Sequence, residues 1–368
     1  MIPEQPFSWV KPCEHLIRHA DSLETPAELL SSFITPAEHF FVCRHVGTPI
    51  INPAEYVLEV TGDAIERPLK LSFEDILRLP THTLISYLEC AGSQRNLFKE
   101  VIGQEARSDD FAMTPWMLGG VGNAIWTGVS LRTILEMAGV KANAVDVNAK
   151  GLDKEAPEGG VSRPIPIQKA LDPDTILAYL MNGEPLLPDH GFPVRLLVPG
   201  WIGSNSVKWV GSITVSSRKV WVNRNTKHYV FMGPEWPEEE YAPAWGGTIT
   251  TQNVKSSIAL PWNATIQAGK NLIRGVARSP HARIAKVEWQ AVNEAGEKTG
   301  WQDANLIPPF IQYAWVRFEL EWDAPPGRWA IMTRATDEDR HTQPDTIPFN
   351  REGYLFNQVY PHPLIVQD

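Results

Sequence analysis

The stretch Ile85-Ser86-Tyr87-Leu88-Glu89-Cys90-Ala91-Gly92-Ser93-Gln94-Arg95-Asn96 carries the residue types best suited to chemistry. Its first half has the aromatic and β-branched character of a strand and its second half is a Cys-Ala-Gly turn, so the Cys90 thiol is expected where a strand stops. Small residues after Cys90 leave room for a bulky group beside the sulfur. Arg95 favours the thiolate by lowering the thiol pKa. The competing reading is a buried thiol acting as a small hydrophobe, a common fate of free cysteine. Further candidate anion-binding groups are Arg44, His45, His190, Arg195 and Lys208. Taken singly, each reads as a solvated surface residue. Their company argues otherwise: Arg44-His45 follows an aromatic extended run, while Arg195 and Lys208 flank apolar runs beside Gly and Pro, where backbone can approach a ligand. A nucleophilic Cys–His hydrolase is the generic competitor, but no Cys opens a helix, which the usual activation would favour.

The elements that must position these residues follow from pattern. Thr25-Pro26-Ala27-Glu28 reads as a helix start with Pro at the first helical position. Phe40-Phe41-Val42-Cys43-Arg44-His45 reads as extended, Tyr56 to Val60 as a strand and Gly62-Asp63 as a turn, and Ser72 to Leu77 as a short helix capped by Ser72. Gly103 to Gly122 is loop-rich. Asn123 to Ser130 leads into a helix Leu131 to Ala138 ended by Gly139. Strands and turns fill Val145 to Val215 without a βαβ rhythm, which predicts an α+β domain over residues 1–245. After about Gly246 nearly every segment reads as a short strand, among them Asn271–Val276, Ala285–Trp289, Trp315–Leu320 and Trp329–Thr333, which predicts an all-β sandwich over residues 246–368. The connection holds Trp236-Pro237-Glu238-Glu239-Glu240. Trp289, Trp315 and Trp329 are expected in its core.

Composition narrows the partners. The chain has 368 residues, 43% apolar and 21% charged, a globular balance long enough for two or three domains. A net charge of −10 argues against nucleic-acid or anionic-membrane partners, yet leaves room for one local positive pocket and a small anionic substrate. The three cysteines, Cys13, Cys43 and Cys90, form no Cys-x-x-Cys pair, which disfavours a zinc ribbon, an iron–sulfur site, a c-type haem and a disulfide framework. No apolar run approaches the roughly 18 residues of a membrane span. Met1 to Pro6 lacks a basic stretch leading into an apolar one, so the expectation is a cytoplasmic chain, or a periplasmic one if an export signal precedes it.

Leu88-Glu89-Cys90-Ala91-Gly92-Ser93-Gln94-Arg95, preceded by Phe40 to Pro49, resembles the sulfite oxidase family of molybdenum enzymes. Further matches follow in the family's order: Gly122 to Gly128, Met181-Asn182-Gly183-Glu184-Pro185, Asp189-His190-Gly191-Phe192-Pro193-Val194-Arg195, Val198-Pro199-Gly200 and Val207-Lys208-Trp209. They cover most of residues 30–215. The tail, with Gln343-Pro344-Asp345 and Asn350 to Tyr354, resembles the family's immunoglobulin-like dimerisation domain.

The resemblance implies a sulfite oxidase-type domain holding a molybdenum–molybdopterin cofactor, with Cys90 as the protein thiolate on the metal. It assigns His45, Asp153, His190, Arg195, Ser206, Val207 and Lys208 to cofactor binding. Cys90, Tyr229, Arg44 and Arg95 become the catalytic candidates; Tyr229 equally reads as an ordinary aromatic. The implied reaction is oxidation of sulfite to sulfate, with electrons passed to an external acceptor such as a cytochrome c, since no haem-binding motif is present. A homodimer is implied as well. The chain departs from the pattern at three places. Cys43 stands where vertebrate and plant enzymes carry the first substrate arginine, with Arg44 one place later; Glu352 stands at the later arginine, after Arg351; and Ser93 replaces the usual Asn. A one-residue shift on a strand turns a side chain to the other face. A second reading therefore keeps the cofactor and changes the substrate to a sulfane sulfur or a sulfoxide. The remote alternative is a non-catalytic β-sandwich binding protein.

Overall fold

The computed structural model describes residues 11–108 and 113–368. The reading of Met1 to Pro6 and residues 109–112 of the loop-rich Gly103 to Gly122 segment lie outside the described residues. The regular elements of the described chain are mostly strands. Its longest helix is Leu131–Ala138, eight residues closed by Gly139 in the left-handed region, as its sequence predicts. The α+β expectation therefore gives way to a mostly β chain, because predicted helix starts stop after about a turn. Phe73–Leu77 has a full capping box between Ser72 and Asp75 and still spans five residues. Thr25-Pro26 yields only the 3-10 turn Ala27–Ser31, capped from Pro26, while the Thr25 hydroxyl donates to His39 O instead.

Two five-stranded sheets occupy the first two-thirds. One runs Glu184–Pro185, Ile176–Met181, Val121–Ser130, Thr81–Glu89, with Arg195–Leu197 also paired to Ile176–Met181. Its hairpin turn is Asn182-Gly183, both at positive φ (56° and 86°), the geometry a two-residue hairpin favours. The other runs Leu69–Ser72, Val57–Gly62, Val210–Ser216, Asp146–Gly151, Ser162–Pro166, with one parallel pairing between Val57–Gly62 and Val210–Ser216. Leu131–Ala138 and the inner faces of both sheets share one core around Leu58, Val60, Ile134, Leu177, Val194 and Ile213. A small sheet, Ile17–Arg18, Ser22–Glu24 and Val42–Cys43, closes one end; of the predicted extended run Phe40 to His45, only Val42 and Cys43 pair.

The tail folds into a four-stranded sheet, Lys255–Ile258, Gly269–Arg278, Val316–Ala324, Asn305–Ile307, and a five-stranded one, Ala264–Gln267, His362–Gln367, Gly327–Asp337, Ile284–Asn293, Gln302–Asp303. They enclose a core that includes Trp289, with Trp329 packed at its edge. Trp315 instead belongs to a cluster that joins the two parts, with Leu30, Tyr87, Phe98 and Phe356.

The strand Thr81–Glu89 delivers the predicted Cys90. Its first half alternates in exposure and its last four residues are all buried, because the tail covers the face left open by the sheet. Glu89 is fully buried there, accepting from Arg278 Nε and Nη2 (both 2.7 Å) and from Lys255 Nζ (2.8 Å). Tyr87 N donates to Tyr313 O (2.8 Å), and Leu355 N to Ala91 O (2.8 Å), so backbone as well as charge ties the Cys90 turn to the tail.

Candidate active site

Cys90 sits just past its strand, with its amide donating to Gly120 O (2.9 Å) and its carbonyl accepting from Ser93 N (2.9 Å) in the predicted turn. Cys90 lines a cleft of about 780 Å3 including its open mouth. Cys43 enters from the strand Val42–Cys43 and lines the cleft with Cys90, near enough for a thiol–thiolate bond to shift both pKa values. Cys43 keeps its proton, its pKa pushed well up by that bond and by burial, while the same bond lowers the Cys90 pKa. Arg95 contributes charge to that lowering, and the Gly92 amide a hydrogen bond. Arg95 itself does not line the cleft. Its Nε donates to Glu352 O (2.8 Å) and its Nη1 to Thr114 O (2.9 Å), so it is a fixed charge behind the thiolate.

The other sequence-predicted residues converge on the same cleft: Arg44, His45, Asp153, His190, Arg195, Ser206, Val207, Lys208 and Tyr229 all line it. Arg44 is turned to Asp189 (3.5 Å) and donates to Thr48 Oγ1 (2.6 Å). Asp189 also accepts from the Thr48 hydroxyl and from Lys11 N. His45 pairs with Asp21 (3.3 Å). Asp153 accepts from Val161 N (3.0 Å), and burial raises its pKa. Arg195 donates to His190 O (3.1 Å) and Ser206 O (2.9 Å), and Lys208 to the carbonyls of Cys43 and Asp189 (both 3.1 Å). Burial works against both charges, lowering Arg195 to about 9 and, helped by Arg195, Lys208 to about 8. His190 is held well below the usual histidine range by burial and then by Lys11, Arg195 and Lys208. It stands neutral at pH 7.

Tyr229, in the left-handed region (φ 53°), stacks on Tyr354 at 5.2 Å. Its pKa is raised by burial even though Arg224 and Arg163 oppose it, so its hydroxyl remains a proton donor across the working range. Arg224 Nη1 lies 3.3 Å from that hydroxyl, and Arg163 lies 5.2 Å from the ring centroid. A second cavity, about 810 Å3 including its mouth, adjoins the first through His45, Arg224 and Tyr229 and is walled further by Glu158, Asn223 and His228. Glu352 is buried and pairs with His228 (3.3 Å) and the Ser108 hydroxyl (3.1 Å).

An oxidoreductase molybdopterin binding domain matches residues 45–222. The chain is 33% identical to sulfite oxidase of Gallus gallus over 352 residues, 90% of this chain and 73% of that protein. The chain belongs to the sulfite oxidase family of molybdopterin oxidoreductases. Mitochondrial sulfite oxidase of Rattus norvegicus is likewise 33% identical over 354 residues, and the chain spans 62% of its length. The crystal structure of the sulfane dehydrogenase SoxCD from Paracoccus pantotrophus superimposes with a TM-score of 0.78 at 27% identity, covering 98% of this chain and 91% of that one.

The residues fit this family's cofactor. Buried cations that face a cleft at the expense of their own charge suit an anionic occupant, and Arg195 Nε and Ser204 Oγ, on residues that line it, have no partner among the described residues. Among the described residues no group of three His, Cys, Asp or Glu side chains could hold a metal ion. Sequence reasoning missed Arg224, the Cys43–Cys90 contact and the Glu89 ion triad. Only Cys43 left a trace, as a departure from the family pattern.

Proposed function

We propose that the chain oxidises sulfite to sulfate at a molybdenum–molybdopterin cofactor and passes the electrons to an external acceptor such as a cytochrome c. The observation that carries this is Cys90 lining a cleft walled by Arg195, Lys208 and His190. Cys90 would hold the metal as thiolate, while His45, Asp153, His190, Arg195, Ser206, Val207 and Lys208 would hold the pterin and its phosphate. The bound cofactor supplies oxygen-atom transfer and takes up the two electrons of the oxidation. Cys43 keeps its proton and donates toward the Cys90 sulfur, and Arg95 steadies its charge. Tyr229 offers its hydroxyl to a substrate oxygen without ionising. Purified with its cofactor, the protein is expected to reduce ferricyanide with sulfite as electron donor, and to stop doing so as Cys90→Ser. A cofactor-loaded protein inert to sulfite overturns this assignment.

A second reading, a sulfane sulfur or a sulfoxide as substrate, is favoured by two observations. Neutral Cys43 and buried, paired Glu352 occupy the positions where the family carries arginines. The sulfane dehydrogenase also shares the whole fold. Residues 1–245 would form the catalytic domain and 246–368 an immunoglobulin-like domain that pairs as a homodimer, supported by the two stacked sheets and by exposed Leu272 and Phe310.

A further inference from the structure

We infer that Arg224 is the residue that binds the anionic group of the substrate; the inference rests on the reading of this cleft as an oxyanion-oxidising site. The cations near Cys90 are otherwise committed. Arg44 faces Asp189, Arg95 and Arg195 donate to backbone carbonyls, and Lys208 donates to two more. Arg224 differs. It lines both cavities, and its one hydrogen bond is to the Tyr229 hydroxyl, at 3.3 Å; no ion pair to it occurs among the described residues. A guanidinium presents a fork of donors suited to a planar or tetrahedral oxyanion, and most of this fork remains unspent.

Arg224 thus stands where the two cavities meet, beside His45 and Tyr229. Behind it, Arg163 is fully buried against the Tyr229 ring, with Nη2 on Ile249 O and Nη1 without a partner among the described residues. Two guanidiniums on one tyrosine make this corner locally electropositive in an acidic protein. An anion held by Arg224 also accepts from the Tyr229 hydroxyl, since both donors already meet within 3.3 Å. The family's arginine positions are taken by Cys43 and by Glu352, whose carboxylate faces His228; Arg224 supplies the charge from another element, the turn Asn223–Thr226. One guanidinium with a large outer cavity selects a single anionic head and tolerates a bulkier remainder, which a site of converging arginines around a small dianion would not.

The test uses the cofactor-loaded protein as wild type, Arg224→Gln, Arg224→Lys and, as a control on an exposed charge, Arg218→Gln. Sulfite turnover is measured together with sulfate binding by calorimetry, which needs no turnover. Losing a charge-assisted hydrogen bond in Arg224→Gln should raise the sulfite KM and the sulfate Kd together by about 10- to 100-fold. kcat should stay within about threefold, Arg224→Lys should fall between, and Arg218→Gln should match wild type. Unchanged sulfate Kd in Arg224→Gln overturns the inference, as does a loss confined to kcat, which would mean that Arg224 only positions Tyr229. If wild type binds sulfate through Arg224 yet does not oxidise sulfite, the inference stands and the sulfite assignment falls. If wild type binds neither anion, both fall.

Discussion

Cys90 was legible because its local signals agree: a strand that stops, small residues that give space, and a nearby Arg. What the local pattern cannot show is which groups arrive from elsewhere. Cys43 comes from 47 positions earlier in the chain (90 − 43) and, with Arg95, lowers the Cys90 pKa. Arg95, expected at the reacting centre, spends its donors on Glu352 and Thr114 carbonyls. Arg224 lies in a single helical turn with no motif around it, so its place at the joint of two cavities had no sequence signal. Among the cofactor candidates, Lys208 carries the plainest prediction. Its ammonium is buried at the expense of its charge, a cost an anionic cofactor offsets. Lys208→Met should retain the fold but keep at least about tenfold less pterin after dialysis, a loss of the size of one charged hydrogen bond. Pterin content equal to wild type would remove Lys208 from the cofactor's holders.

At the scale of elements, pattern found the strands and turns and overstated the helices. Capping and periodicity are local and showed truly at Ser72 and Gly139, whereas helix length depends on how much apolar face the sheets leave to cover. The Glu89 triad was invisible because its partners lie 166 and 189 residues away. Burial by itself would raise the Glu89 pKa, but Arg278 and Lys255 outweigh it and hold the carboxyl at about 2. A carboxyl held low in the folded state stabilises it above the unfolded pKa of about 4.3, and that contribution disappears as pH falls from there toward 2. Glu89→Gln leaves two buried cations facing a neutral amide, so it should destabilise by about 3–5 kcal/mol in chemical denaturation at pH 7. The difference from wild type should shrink as pH falls below about 4, where protonation of the unfolded chain begins to remove the contribution in wild type. A constant difference from pH 7 to pH 3 would show that the triad is not the cause. Gly128 is a steric counterpart: a Cβ there would stand 2.1 Å from Leu177 O, across the pairing that carries the strand beside Thr81–Glu89.

On the scale of the whole molecule, sequence divided the chain at the change of composition near Gly246, although Val230–Phe231 pairs with Gly247–Thr248 across that point. Composition could not show that the tail also builds the site. Tyr354 stacks on Tyr229, Glu352 O fixes Arg95, and Arg278 and Lys255 neutralise the residue before Cys90. Trp315, expected in the core of the tail, fills the seam instead, with its Nε1 donating to Phe33 O (2.9 Å). Trp315→Ala should therefore cost about 3–5 kcal/mol and lower cofactor retention together with stability; loss of stability with full cofactor content would uncouple the two parts. The measurement that bears most directly on the account is molybdenum X-ray absorption on wild type and Cys90→Ser, with metal counted in the same samples. The account predicts about one molybdenum per wild-type chain and one fewer sulfur neighbour around the metal in the variant. The same sulfur count in both proteins, or wild type without molybdenum from a host able to make the cofactor, would contradict it.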